Sequence, residues 1–373
     1  MNSGVLPGPE YNPVLGNNKT EEDTAMITIG VDFHKRTSSY KVLDENGQHL
    51  KSTKLENNRD AIRKFLEAIP GPKKLGMEAT RSWGLFHDCA NDLVNEFHLG
   101  HPKKMKVITQ SQTKNDKKDA EAIARLLHSG YFPEAHVSSV DTRELRSLLR
   151  FRHFLVNDRR SIRNQVQTLI DRHVWVSERP KSFKNIFCLR GLKWLKELDL
   201  PERERFILSQ CLKTFQELGQ KISDMEKFVQ SQTLDLPGLE YLRTVPGFKL
   251  SKVNALIVLT EADGINRFPK ARSFSHYAGL IPSESSSGDK HRTGRLVKDA
   301  NMHLRTAFIE STFAAVRADK GLKAYYKQVK ERSGSGSAVI ATARKLSYAV
   351  YHVLKEQRAY RPEPLPPAAV CHS

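Results

Sequence analysis

One short run constrains this chain more than any other: MITIGVDFHK, residues 26–35. Its apolar, β-branched start reads as a buried central strand, and that strand ends on an acid, Asp32. A carboxylate there is costly to desolvate unless it is paired or bound to a cation. Next comes SSYKVLDENGQHLKSTKLE, two strand-like runs around Asn46-Gly47, a step that tolerates positive φ and signals a hairpin. An amphipathic helix over 58–69 stops at Pro70. KKLGMEAT reads as a strand carrying Glu78, SWGLFHDCANDLVNEF as a helix with Ser82 as its N-cap, and KMKVITQ as a further strand. NDKKDAEAIARLLHSG reads as a helix with Gly130 just past its end. Strand, hairpin, helix, strand, helix, strand, helix predicts an α/β domain over 26–135, a mixed sheet covered by helices. Ligands of such sheets bind at the carboxyl ends of the strands.

From residue 141 the pattern becomes helical, so the fold class is α/β plus all-α. Leu148, Leu155, Ile162, Leu169 and Val176 recur every seven residues. Leu208, Phe215, Ile222 and Val229 do the same, with Cys211, Leu218 and Met225 as a companion row. Such heptads predict a coiled coil or a long helical hairpin over 141–235, and this reading favours pairing between chains. A mostly helical C-terminal domain follows over 237–360. It contains the Pro246-Gly247 turn, a flexible break at SGSGS (333–337) and a last helix from Ala338. Residues 1–25 and 361–373 read as a disordered arm and tail.

The charge narrows the function. Sixty Lys and Arg against 42 Asp and Glu leave a net +18. A surplus of that size implies a polyanionic partner, and nucleic acid is the expected one. An anionic membrane is the alternative, but no apolar run approaches a membrane span and no signal-peptide core is present. Cys89, Cys188, Cys211 and Cys371 are far apart and form no CxxC pair, which fits reduced thiols rather than a disulfide frame or a zinc knuckle. The expected location is the cytoplasm.

Four acids stand out in the first domain: Asp32, Glu78, Asp116 and Asp119. Asp116 and Asp119, three apart at a helix start, project from one face. Alone they read more simply as dipole-favoured helix acids or as partners of Lys114, Lys117 and Lys118. An acid at the end of a first strand, before a hairpin, with further acids on a later strand and helix, is the more specific layout of an RNase H-like nuclease domain. Converging oxygens of that kind suit Mg²⁺, which keeps some waters and accepts phosphate oxygens. In the second half, residues 275–305 (SHYAGLIPSESSSGDKHRTGRLVKDANMHLR) place Ser283, Ser285, Ser286 and Ser287 among many cations. By composition such a segment is a solvated loop. A serine there becomes a nucleophile only when a base, a metal or positive charge activates it.

GVDFHK, GMEAT and KNDKKDAEAIARLL resemble, in order, the acidic motifs of DEDD transposases with a RuvC-like N-terminal domain, the IS-one-ten insertion-sequence family. TVPGF, RFPKARSFSHYAGLIPSESSSG, the K–N–LR of KDANMHLR, and ATARKLSYAVYHVLKE with Tyr360 resemble the same family's second domain. The similarity runs from about residue 26 to 360. Two positions depart from the pattern: Lys249 stands where a second glycine is usual, and Ala300 stands where Lys-x-Gly-Asn has its glycine.

The resemblance implies a DNA recombinase guided by a structured noncoding RNA, often called a bridge RNA. It implies a catalytic serine directly before glycine, which selects Ser287 before Gly288, and a covalent phosphoserine intermediate. It also implies Mg²⁺ held by Asp32, Glu78, Asp116 and Asp119, and an active site assembled between subunits of a tetramer, a dimer of dimers. Lys290, His291, Arg292, Arg295, Lys298 and Arg305 are the cations expected to contact nucleic acid. Competing readings are an RNA-independent DNA invertase, a RuvC-like metal-dependent junction nuclease using the acids alone, and a noncatalytic basic nucleic-acid-binding protein.

Overall fold

The computed structural model describes residues 26–108, 116–180, 185–233, 236–249, 251–287, 290–297 and 299–362. Within these stretches it does not describe the side chains of residues 107, 108, 116, 117, 284–287, 290–293 and 295. The arm (1–25) and most of the tail (363–373) lie outside the described residues. The chain forms two compact units that divide after Val137.

In the first unit, β1 (Ile27–Phe33), β2 (Thr37–Leu43) and β3 (His49–Glu56) form a meander. Helix α1 (Arg59–Glu67), strand β4 (Lys73–Glu78), helix α2 (Trp83–Ala90), strand β5 (Glu96–Gly100), helix α3 (Pro102–Ile108), helix α4 (Asp116–His128) and strand β6 (Glu134–Ala135) follow. The sheet order is β3-β2-β1-β4-β5-β6. β1 pairs antiparallel with β2 and parallel with β4, and β4 pairs parallel with β5. This is the expected RNase H-like mixed sheet.

Strand alternation divides its two faces. Ile29, Val31 and Phe33 join Tyr40, Leu75, Met77 and Leu99 in a core closed by Ile62, Phe65 and Leu66 of α1 and Phe86 of α2. Thr28, Gly30 and Asp32 point to the opposite face. The hairpin turn is held by Asp44, whose Oδ1 accepts from the N–H groups of Asn46 and Gln48, and Gly47 takes φ 76°.

Two expectations need correction here. The helix expected through Phe97 ends at Ala90, so the last strand before α4 is EFHLG rather than KMKVITQ. KMKVI instead lies in α3. Pro102 presets the first helical φ, and Met105 packs into the small core with Ile123, Leu127 and Phe132. These outweigh the strand propensity of Val107 and Ile108.

The second unit begins with α5 (Val140–His173), α6 (Leu189–Glu197) and α7 (Glu202–Ser231). It continues with α8 (Leu239–Leu242), α9 (Lys252–Ala262), α10 (Ala271–Tyr277), β7 (Pro282–Ser287), β8 (Lys290–Leu296), α11 (Met302–Ala318) and α12 (Lys320–Lys355). Helices α5 and α7 pack on each other. Leu155 meets Leu218 and Ile222, while Val166, Leu169 and Ile170 meet Leu208 and Leu212. The seam read as a contact between chains is therefore filled by the same chain. Val176, the last of the heptad series, lies past the end of α5 and is 76% exposed.

The expected flexible break at SGSGS is a single kink inside α12, where Gly334 takes φ 81° and ψ 168°. The serine-rich segment is not a plain loop, because β7 and β8 pair as an antiparallel hairpin. Cys89, Cys188 and Cys211 are free thiols.

Candidate active site

The acid positions are set by two glycines. Gly30 and Asp32 share one face of β1, and Gly76 and Glu78 share the same face of β4, because alternate residues of a strand point the same way. The parallel register pairs Gly30 with Gly76 and Val31 with Met77. Asp32 and Glu78 are the next positions along, at the carboxyl ends of neighbouring strands about 4.8 Å apart.

Helix α4 lies on this face. A Cβ on Gly30 would fall 2.3 Å from the Ala120 carbonyl oxygen and 2.4 Å from the Ala124 nitrogen, so only glycine lets helix and strand approach so closely. Farther along α4, Leu127 meets Gly76 and His128 meets Gly47, which sits in the hairpin turn beside the start of β1. The helix thus runs antiparallel to β1, and its first turn points toward the end that carries Asp32. Asp119 lies in that turn, half-buried. Asp116 is the first residue of α4, and its side chain is outside the described set. Lys41 on β2 anchors the same helix through Glu121, at 3.3 Å. The Glu121 carboxyl is held below its usual range, chiefly by Arg125 and then by Lys41.

Asp32 is 14% exposed, and its Oδ2 lies 2.9 Å from His34 Nε2. Among the described residues no three potential ligands are close enough to hold a metal ion already. The donors nevertheless fit Mg²⁺ by type: hard carboxylate oxygens at adjoining strand ends, with a third acid on the helix seated beside them.

In the second unit, Ser287 is the last residue of β7 and pairs with Lys290 of β8. Gly288, Asp289 and Lys298 lie outside the described residues, as do the side chains of Ser285, Ser286, Ser287, Lys290, His291, Arg292 and Arg295. The base of the hairpin is described, and it is tightly tied. Asn301 donates its backbone N–H to the Tyr277 carbonyl, so the chain entering and the chain leaving the hairpin are joined. The Asn301 side chain caps α11 through the Leu304 N–H and donates to Glu261 Oε2 at 2.7 Å. Arg305, also named as a nucleic-acid contact, is half-buried and donates to the Val297 carbonyl just past β8. Gly279 (φ 65°) leaves it room, since a Cβ there would lie 2.0 Å from Arg305 Nη2.

Glu261 is the pivot of this base. It is 1% exposed, and Arg150 of α5 grips both its oxygens at 2.8 Å. Burial pushes its carboxyl up, but the hydrogen bonds from Arg150 and Asn301 outweigh burial and leave it below the usual range. The same pair holds the Arg150 guanidinium above its ordinary range. Nearby, His153 and His303 meet edge to face at 5.2 Å, and burial pulls both imidazoles down.

Two family models match the chain. One, a DEDD transposase model of the IS110 type, matches residues 29–174, from β1 to the end of α5. The other, described as "Transposase IS116/IS110/IS902 family", matches residues 239–327. The chain belongs to the IS110-type transposase family.

Its relatives include a probable family 20 transposase of Pseudomonas aeruginosa, 24% identical over 90% of this chain and 98% of that protein. A transposase for insertion sequence element IS1111A of Coxiella burnetii is 26% identical over 70% of this chain and 71% of its own length. A mini-circle putative transposase for IS117 of Streptomyces coelicolor is 30% identical over 37% of this chain and 35% of its own.

For an IS110-type transposase, the sheet brings Asp32, Glu78 and the first turn of α4 to one end of one face. The roles of Gly30, Gly76, Glu261 and Arg150 went unread in the sequence. The glycines carried a signal, since each stands two residues before an acid inside a strand, where glycine marks close approach. Glu261, the one acid of the largely apolar α9, carried a signal as well, but its partners Arg150 and Asn301 lie far off in the sequence.

Proposed function

We propose that this IS110-family transposase cuts and rejoins DNA through a covalent phosphoserine on Ser287, with Asp32, Glu78, Asp116 and Asp119 as ligands of Mg²⁺. The observation that supports the reading is one of placement: Asp32 and Glu78 take corresponding positions at the carboxyl ends of β1 and β4, on the face where Gly30 seats α4, whose first turn holds Asp119. When bound, the metal would supply positive charge to phosphate oxygens and to the leaving oxygen.

The Ser287 hydroxyl attacks the phosphorus, loses its proton, and forms a phosphoserine ester as one P–O bond of the strand breaks. The released strand hydroxyl takes up a proton. Attack by a second strand hydroxyl reverses these steps, restores the serine and leaves the number of phosphodiesters unchanged, so rejoining needs no external energy. Lys290, His291, Arg292, Arg295 and Lys298 supply positive charge in the sequence around the nucleophile, which favours a transition state rich in negative charge. The net charge of +18 fits a polyanionic partner, and guidance by a noncoding RNA beside the DNA belongs to the same reading. Function as a dimer of dimers belongs to the same reading.

Incubation of the full chain with its DNA, followed by denaturing electrophoresis, tests the scheme. Ser287→Ala is expected to give no protein–DNA adduct while still binding nucleic acid. Asp32→Ala, Asp119→Ala and EDTA are expected to abolish strand exchange. Adducts from Ser287→Ala would overturn the nucleophile, and exchange in EDTA would overturn the metal. Sequencing RNA that co-purifies with the chain tests the guide.

A further inference from the structure

Toward each end of the α5–α7 hairpin an arginine of α5 finds a carboxylate of α7. Arg152 reaches Glu226 at 2.5 Å, and Arg172 reaches Glu204 at 3.5 Å. Between them the pattern breaks. Among the described residues, Arg159, Arg160 and Arg163 pair with no acid. Arg160 donates only to the Asn157 amide oxygen of its own helix, and Arg159 Nε is buried with no hydrogen-bond partner. The sequence of residues 181–184 (KSFK), outside the described set, contains no acid either.

What faces these arginines is aromatic. The Arg159 guanidinium lies 4.4 Å above the Phe215 ring, and Arg163 lies 5.0 Å above Phe187. The two rings are themselves 4.9 Å apart. Stacking of this kind fixes two otherwise flexible guanidiniums in place and leaves their N–H edges free to donate.

A cavity of about 240 Å³ opens at this point, lined by the three arginines, Asn185, Phe187 and Phe215. It is smaller than the ~300–1,000 Å³ of sites that enclose a small molecule, so it suits one unit of a longer polyanion. Gly219, in the middle of α7 where glycine weakens a helix, faces the Arg159 guanidinium. The nearest heavy atom to a Cβ there would be Arg159 Cζ, at 3.7 Å.

We propose that this cavity is a docking site for a backbone phosphate of single-stranded nucleic acid, held by the edges of Arg159 and Arg163 with Arg160 at the rim. Guanidiniums match phosphate oxygens in geometry, and two of the three are held in place by ring stacking with no acid among the described residues to neutralise them. The proposal rests on reading the chain as a nucleic-acid enzyme, and it places one phosphate on the helical hairpin, outside both halves of the candidate active site. The strand can be RNA or DNA, since the phosphodiester is common to both.

Gly219→Glu tests it with little risk to the fold. Glutamate is a better helix former than glycine, ordinary contact distance leaves room for its Cβ, and its carboxylate would neutralise Arg159. The full chain is titrated against a fluorescent single-stranded oligonucleotide, as RNA and as DNA of one sequence, by anisotropy over a range of salt. An unchanged or raised melting temperature shows that the variant is folded. Gly219→Glu and the double variant Arg159→Ala/Arg163→Ala should each weaken binding by about tenfold or more. Each should also flatten the slope of log K against log salt by about one unit for every phosphate that is no longer neutralised.

Weakening confined to RNA or to DNA supports the site and names the strand, and weakening on both supports it for either. Wild-type affinity and slope in a folded Gly219→Glu chain would overturn the docking site while leaving the chain a nucleic-acid binder. A wild-type chain that binds neither strand would overturn both the site and the reading beneath it.

Discussion

At the scale of single residues, the acid site depends on side-chain atoms that glycine does without. Gly30 lets α4 lie on β1, because the positions a Cβ would meet are backbone atoms of Ala120 and Ala124 that cannot move aside singly. Gly30→Val should therefore push α4 off the strand. Its cost is expected to be about 1–3 kcal/mol, as for other overpacked cores, together with loss of strand exchange. Urea unfolding of the full chain checks the first effect and the adduct assay the second. Gly336→Ala, where nothing lies within 4 Å of the added Cβ, is the control and should be near neutral. A Gly30→Val chain with wild-type stability would mean that the close approach is not required. The motif was legible in part. Gly-Val-Asp and Gly-Met-Glu announce a glycine and an acid on one strand face, because a strand repeats every second residue. What the glycine makes room for is not written there.

Among elements, the two readings that moved furthest were the heptads and the serine segment. Heptad spacing states that a helix has an apolar stripe but not whose helix covers it. Here Leu155 of α5 meets Leu218 and Ile222 of α7. Leu155→Ala should thus cost about 2–5 kcal/mol, as other buried leucines do, and leave the oligomeric state as in the wild type. Unfolding curves and light scattering measure the two quantities. Self-association abolished with stability unchanged would show a seam shared between chains. The serine segment reads as a loop by composition, yet it forms a hairpin because its two ends are joined, through Asn301 and Tyr277, over buried Glu261. Arg150, which neutralises Glu261, is 111 residues away in sequence. Spacing within a window cannot reveal such a partner.

For the whole molecule, the net +18 is the dominant property. If it serves nucleic acid, affinity for DNA should fall steeply with salt, by about 10³–10⁵ between ~50 and ~200 mM for a protein with ~6–10 phosphate contacts. Binding measured across that range decides the point, and a flat response would mean that the charge serves solubility alone. Among the described residues no helix is long and apolar enough to cross a membrane. The sequence by itself determined the alternation of strands and helices, the switch to helices after residue 140, the acids on their strands and helix, and the basic surface. These follow from local period, turn chemistry and charge count, which need no knowledge of distant neighbours. Only the tertiary structure decided that β4 lies beside β1, so that Asp32 and Glu78 adjoin, and that α4 runs antiparallel to β1 with Asp119 toward them. It also decided that EFHLG rather than KMKVITQ is the strand, and that Glu261 ties the base of the serine hairpin. Each of these is settled by which surfaces fit together and which buried charges find partners, and those are properties of residues far apart in the chain.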